Sequence, residues 1–165
     1  MLPSQEKILS LPQLLAKVAQ WRQQGQKVVF TNGCFDIVHM GHVDYLEKAR
    51  LLGDKLVLGL NTDQSVSRLK GPTRPLQDEM SRSRVMASFW FVDAIVLFDQ
   101  ETPYELIKAV QPDVLVKGDD YTVETIVGHE VVLANGGEVK TIPLVQGYST
   151  SQVVAKVLAD QHRLH

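Results

Sequence analysis

A doubly wound α/β architecture on a five-stranded parallel sheet is predicted for this chain, on three grounds. Short apolar runs rich in β-branched residues recur along it; helical patterns separate them; and the runs are continuously apolar rather than alternating with polar residues. Continuous apolarity is the mark of strands buried on both faces, as in a parallel sheet covered by helices on each side.

The elements follow in order. Ser10 and Gln13 have capping-box spacing, and Leu11, Leu14, Leu15, Val18 and Trp21 then recur at helical spacing as far as Gly25. Residues 1–25 are expected to form a helical extension packed on the rest of a single domain spanning 1–165. Residues 27–31 are the first strand, with Asn32-Gly33 as a break. From His42, the side chains of Tyr45, Leu46, Ala49 and Leu52 share a helical face, with Gly53 as its stop. Residues 55–60 are the second strand. A polar, proline-containing loop leads to a helix from Asp78, whose apolar face carries Val85, Met86 and Phe89. Residues 94–98 are the third strand. Thr102, Pro103 and Glu105 then supply an N-cap, a first-turn proline and a capping-box partner for a helix ending before Pro112. Residues 114–116 are the fourth strand, residues 130–134 a helix ended by Asn135-Gly136-Gly137, and residues 139–142 the fifth strand. Ser149 and Gln152 open the last helix.

With 165 residues, 44% of them hydrophobic and 22% charged, the chain has the makings of one domain with a real core. A net charge of -2 disfavours nonspecific nucleic-acid binding, so any phosphate must meet local groups. Cys34 is the only cysteine, which excludes an intramolecular disulfide and a cysteine-rich zinc site and fits a cytoplasmic setting. No apolar run nears the roughly 20 residues of a membrane span, and no signal pattern opens the chain, so no membrane partner is expected.

Ligands of doubly wound sheets bind at the carboxyl ends of the strands, which selects residues 31–42, 61–74, 117–121 and 146–151. The first segment, Thr-Asn-Gly-Cys-Phe-Asp-Ile-Val-His-Met-Gly-His, carries the most chemistry. His39 and His42 are three apart at a helix start and can face one side, while Gly41 leaves room for a ligand against the backbone. Free N–H groups and the helix dipole attract anions there, and two imidazoles above them can donate to phosphate oxygens. Taken alone, such a pair would more often be surface residues. A zinc site would need Cys34 or Asp36 as a further ligand, and no spacing typical of a metal site accompanies them, so no protein metal site is expected. Neither a G-x-G-x-x-G nor a P-loop sequence follows the first strand, which disfavours a dehydrogenase or a P-loop kinase. At Gly118 the backbone can approach a flat base, with Tyr121 packing on it, unless Lys117 to Tyr121 form only a turn. Ser149, Thr150 and Ser151 can cap the last helix and still bind phosphate. Asn61 and Asp63 can bind sugar hydroxyls or form a turn.

Asn32-Gly-Cys-Phe-Asp36, His39-x-Gly-His42 and a late Gly147-Tyr-Ser-Thr-Ser151 together resemble the His-x-Gly-His nucleotidyltransferase superfamily over nearly the whole chain. Phe30 to Asp36, Leu69-Lys-Gly-Pro-Thr-Arg-Pro75, Val114-Leu-Val-Lys-Gly118 and the final Gly147-Tyr-Ser-Thr-Ser151 most resemble the D-glycero-β-D-manno-heptose 1-phosphate adenylyltransferases. The resemblance implies a Rossmann-like nucleotidyltransferase fold, ATP and heptose 1-phosphate as substrates, ADP-heptose for lipopolysaccharide-type glycans as product, Mg²⁺ held mainly by nucleotide phosphates, and a homo-oligomer such as a dimer. It implies catalytic roles for His39, His42 and Lys70. The nucleotide would be bound by Thr31, Asn32, Gly33, Cys34, Phe35, His39, Gly41, His42, Lys117, Gly118, Asp120, Tyr121, Ser149, Thr150 and Ser151. The acceptor would be bound by Asp36, Asn61, Asp63, Lys70, Arg74 and Arg82. One departure stands out: many cytidylyltransferases of the superfamily carry an arginine before the Gly of the last motif, where this chain has Val145-Gln146-Gly147. The alternatives are a superfamily transferase acting on a polyol or ethanolamine phosphate, a flavin or a pantetheine-type acceptor, and a noncatalytic nucleotide-binding module.

Overall fold

The computed structural model describes residues 4–161, so the first three residues of the expected N-terminal extension lie outside it. Six parallel strands form one sheet: β1 (Ile8–Leu9), β2 (Val28–Gly33), β3 (Lys55–Asn61), β4 (Ala94–Phe98), β5 (Val114–Gly118) and β6 (Glu138–Ile142), in the order β1-β4-β3-β2-β5-β6. All five predicted strands are present. The sixth, β1, is a two-residue edge strand that pairs Ile8 with Ile95 and Leu9 with Val96, too short to leave a pattern in the sequence.

Successive side chains of a strand point to opposite faces, and the two faces have separate cores. On one, Val29, Leu56, Leu58, Ile95 and Val116 pack with Leu46 and Ala49 of α2 (Met40–Arg50) and Met86 of a later helix. On the other, Phe30, Val57, Val96 and Leu115 pack with Leu14, Val18 and Trp21 of α1 (Leu11–Gln23). The Ser10–Gln13 capping box that opens α1 is formed, and the chain leaves the helix through Gly25 at φ 71°.

Four local expectations change. Asn32 and Gly33 do not break β2 but extend it, paired with Gly59 and Leu60 of β3. The polar segment after β3 is not a loop throughout: it holds α3 (Asp63–Lys70), capped by Thr62, whose side chain accepts from Ser65 N. Gly53 is not a left-handed stop; it is small because a Cβ there would lie 2.9 Å from the Lys27 carbonyl oxygen. Thr102 does not cap the helix after β4, since α5 (Tyr104–Val110) starts with Pro103 at its N-cap. The helix expected at Asp78 is α4 (Glu79–Ala87), with the Asp78 side chain accepting from Ser81 N. α6 (His129–Ala134) and α7 (Thr150–Gln161) complete the chain. Among the described residues no helix is long and apolar enough to cross a membrane.

From β2 the chain adds β3 and β4 on one side, then crosses by α5 to place β5 on the other. The strand order therefore reverses between β2 and β5, and the crevice above their carboxyl ends is where such sheets bind ligands. Gly59, in the middle of β3, is locked by packing: a Cβ would come within 2.9 Å of Phe30 Cζ and 3.2 Å of Leu106 Cδ2. Phe30 is fully buried and cannot swing aside. Gly59→Ala is expected to cost about 1–3 kcal/mol through overpacking, to be read from the midpoint of urea unfolding.

Candidate active site

Above the β2–β5 crevice lies a pocket of about 410 Å³. Its floor is the end of β2 and the turn after it. Phe35 takes a left-handed conformation (φ 47°), and its ring closes over Gly33, where a Cβ would sit 2.7 Å from Phe35 Cε2. The same ring meets His42 edge-on at 5.1 Å.

His39 is the extended N-cap residue of α2, and its ring stacks on that of His42 with centroids 3.8 Å apart. The His39 backbone N–H donates to His42 Nδ1 at 3.4 Å. An accepting Nδ1 places the proton of a neutral His42 on Nε2, leaving that nitrogen as a donor. Burial, helped by the nearby His39 and Lys70, pushes His42 down to about 4, and burial lowers His39 as well. Both rings are therefore neutral donors near neutral pH before a ligand arrives. His39 Nδ1 is buried with no hydrogen-bond partner. Gly41 is required beneath it, since a Cβ would stand 3.0 Å from that nitrogen and 3.3 Å from Tyr148 Cβ.

The opposite wall is Lys117, Gly118, Asp120 and Tyr121, and the roof is Ser149, Thr150 and Ser151 at the start of α7. Lys117 Nζ donates to the Asn32 carbonyl at 3.2 Å, bridging β5 and β2, and lies 5.7 Å from the centre of the Tyr121 ring. Burial pushes Lys117 down to about 8, opposed chiefly by the nearby Asp120 carboxylate. Gly118 keeps its wall open, for a Cβ would meet Asp120 Oδ1 at 2.6 Å. Cys34 lines the floor, its thiol pushed up by burial. Lys70, at the end of α3, completes the rim.

Of the residues expected to hold the nucleotide, the pocket gathers all but Thr31. Thr31 is fully buried and its hydroxyl is bonded to that of Tyr45 at 2.8 Å, so it braces β2 on α2. The expected acceptor set divides. Lys70 reaches the pocket, whereas Asn61, Asp63, Arg74 and Arg82 do not line it. Asn61 is buried and donates to Ser65 Oγ at 2.9 Å. Arg82 is 1% exposed: its guanidinium donates to the carbonyls of Gln77, Cys34 and Asn61 and to the Asp63 carboxylate. A sequence position near a helix start does not reveal which way a side chain points, and this one points inward. Asp36 touches the pocket but its carboxylate is committed, accepting from Leu76 N at 2.8 Å, Gln77 N at 2.9 Å and Arg74 Nε at 2.7 Å. Burial would raise Asp36, but those donors outweigh it and hold the carboxyl below its ordinary range. The stability this contributes is present above the unfolded value near 4 and is lost as pH falls through the lower folded value.

Tyr45, Leu144, Val145 and Tyr148 line the pocket without having been expected there. Leu144 and Val145 follow β6 directly, and the strand-end rule applied to β6 would have found them. Tyr148 sits inside the last motif, beside residues that were expected.

A doubly wound sheet with two stacked histidines at a helix N-terminus, over a pocket that two lysines also line, makes a site suited to a phosphate-bearing ligand. A family model described as Cytidylyltransferase-like matches residues 30–156, and the chain belongs to that family. A protein from Azorhizobium caulinodans named Bifunctional protein HldE is 59% identical over 149 residues, which are 90% of this chain and 31% of that protein. A protein of the same name from Methylobacillus flagellatus is 55% identical over 152 residues, 92% of this chain and 31% of that one. The chain thus spans about a third of the length of these curated relatives. Among solved structures, the lipopolysaccharide core biosynthesis protein of Thermoplasma volcanium is 30% identical with a TM-score of 0.59, covering 76% of this chain and all of its own. Pantothenate synthetase of Thermus thermophilus shares the fold at 19% identity and a TM-score of 0.55, over 84% of this chain and 62% of that one.

Proposed function

We propose that the chain is an adenylyltransferase that joins ATP to D-glycero-β-D-manno-heptose 1-phosphate, giving ADP-heptose and pyrophosphate in the cytoplasm. The observation that carries the reaction type is the stacked His39–His42 pair, whose ring donors stand over the β2–β5 crevice. The acceptor assignment rests on the sequence resemblance of residues 30–36, 69–75 and 114–118 and on the likeness to the HldE proteins.

An oxygen of the sugar phosphate attacks the α-phosphorus in line. The bond from that phosphorus to the oxygen bridging to the β-phosphorus breaks, and its electron pair leaves with pyrophosphate. The attacking oxygen is already anionic, so no general base is needed. The work of the protein is to bring two polyanions together and to stabilise the charge that builds up between them. His39 and His42 donate to the reacting phosphate, Lys70 neutralises charge at the rim, and the N-terminus of α7 with its hydroxyls binds the departing phosphates.

Among the described residues no cluster of three His, Cys, Asp or Glu side chains could hold a metal ion. Asp36 is committed inside the fold, which leaves Asp120 as the available carboxylate of the wall. That donor set fits Mg²⁺ arriving on the triphosphate, with Asp120 as an outer contact; the ion would neutralise charge on the leaving pyrophosphate.

The test is pyrophosphate release from each nucleoside triphosphate with a panel of sugar 1-phosphates, including both heptose anomers. ATP with the β-anomer is expected to be the most active pair. Activity confined to CTP, or to a non-sugar acceptor, would overturn the assignment.

A further inference from the structure

We infer that Lys117 is the residue that grips the phosphate chain of the nucleotide, an ammonium held in the crevice with its counter-charge left for the ligand to supply. The inference rests on the nucleotide-binding reading of the pocket but not on which base or acceptor is used.

Two observations carry it. Lys117 is the penultimate residue of β5 and reaches the end of β2, so its Nζ stands at the strand-order reversal where these sheets bind ligands. Its ammonium has three N–H donors and a single hydrogen-bond partner, the Asn32 carbonyl, and no carboxylate lies within 4.0 Å of it among the described residues. A half-buried cation with no carboxylate in contact is costly in a finished fold, and an ammonium with unused donors beside a cavity marks a place where a ligand completes the bonding.

The ligand is anionic, because an ammonium donates and cannot accept. The Asn32 carbonyl and the Tyr121 ring hold Nζ over the crevice floor, with Tyr121 as the flat surface for a base on the same wall. A nucleotide whose base lies on that wall brings its phosphates over Nζ as it runs toward His39 and His42. Lys70 lines the same pocket near His42, so a second cation is at hand for the reacting phosphates.

The test uses Lys117→Met, which keeps the stem and removes the charge, with Lys117→Gln as a second variant. Binding of ADP, CDP, adenosine and cytidine is titrated calorimetrically, and thermal melts are recorded without ligand. For the diphosphate that the wild type prefers, both variants are expected to bind about ten-fold or more weakly, the scale of a lost charged hydrogen bond. Nucleoside binding should change less than two-fold, and the Lys117→Met melt should match or exceed the wild type, since an unpaired ammonium has left the interior. Equal losses for nucleoside and diphosphate would mean that Lys117 reads the base or only shapes the wall, and would overturn the inference. Unchanged diphosphate binding, or a lowered melt in both variants with nucleoside binding lost, would overturn it too. A wild type that prefers CDP would sink the adenine assignment above while leaving the Lys117 test intact on CDP.

Discussion

Replacing His42 with alanine is expected to lower the rate of pyrophosphate release by roughly two or more orders of magnitude at saturating substrates, as loss of a preorganised transition-state donor does. The ring is placed for that work at both nitrogens. Nδ1 accepts from the His39 backbone, so Nε2 keeps its proton and points it outward, while Phe35 and His39 hold the ring edge-on and in a stack. Because the donor acts most strongly on charge that develops during reaction, nucleotide affinity measured by calorimetry should fall far less than turnover. His39→Ala should behave alike. The double variant should lose less than the product of the single effects, since each ring fixes the other. Turnover within a few-fold of wild type in either single variant would remove the histidines from the mechanism.

The pH profile separates this role from acid–base chemistry. His42 stands near 4 in the free protein, so kcat/KM should show no limb near the ordinary histidine value of about 6.5 that belongs to it. On the alkaline side Lys117 stands near 8, set by burial against the charge of Asp120. A group that must be protonated to bind an anion gives activity that falls as pH rises through its pKa. The kcat/KM profile should therefore decline above about 8, the decline persisting in Cys34→Ser and vanishing in Lys117→Met.

How far the site could be read beforehand depended on what kind of residue carried the information. The five long strands and the capped helices α1 and α4 announce themselves through apolar runs and side-chain caps, which are local. α3 did not, because Asp63–Lys70 buries only Ser65 and Val66, leaving almost no apolar stripe for a periodicity argument to find. The pocket floor was legible because the His39–His42 spacing and the strand-end rule both point to residues 31–42. Direction of side chains was not. Thr31, Asn61 and Arg82 stand at the right places along the chain, yet each turns into the fold to meet partners from 14 to 48 positions away or a neighbouring helix turn. Charge alone could not sort Lys117 and Lys70, which face the pocket, from Arg74 and Arg82, which brace its loops.

Arg82 gives the sharpest consequence of that sorting. Its guanidinium joins three separate pieces of chain: Nη1 donates to the carbonyls of Cys34 and Asn61 at 2.8 Å each, Nε to that of Gln77 at 3.0 Å, and Nη2 to Asp63 at 2.7 Å. The carbonyls of Cys34 and Asn61 lie just beyond β2 and at the end of β3, so the arginine ties the two strand ends that frame the histidine loop. The Asp63 side chain is 39% exposed, so solvent screens that ion pair and it contributes little by itself. The large effect comes from the buried end: Arg82→Met removes four donors at once and leaves the Asn61 carbonyl without its side-chain partner. Breaking a buried charged network in this way costs about 3–5 kcal/mol, which for a chain of this size lowers the melting temperature by roughly 10 °C. A phosphate-binding arginine would behave in the opposite sense, with a melt near wild type and a large loss of nucleotide affinity. In Arg82→Met the loss should appear in the melt, while protein kept folded at low temperature binds ADP within a few-fold of wild type; the reverse pattern would return Arg82 to the phosphate site.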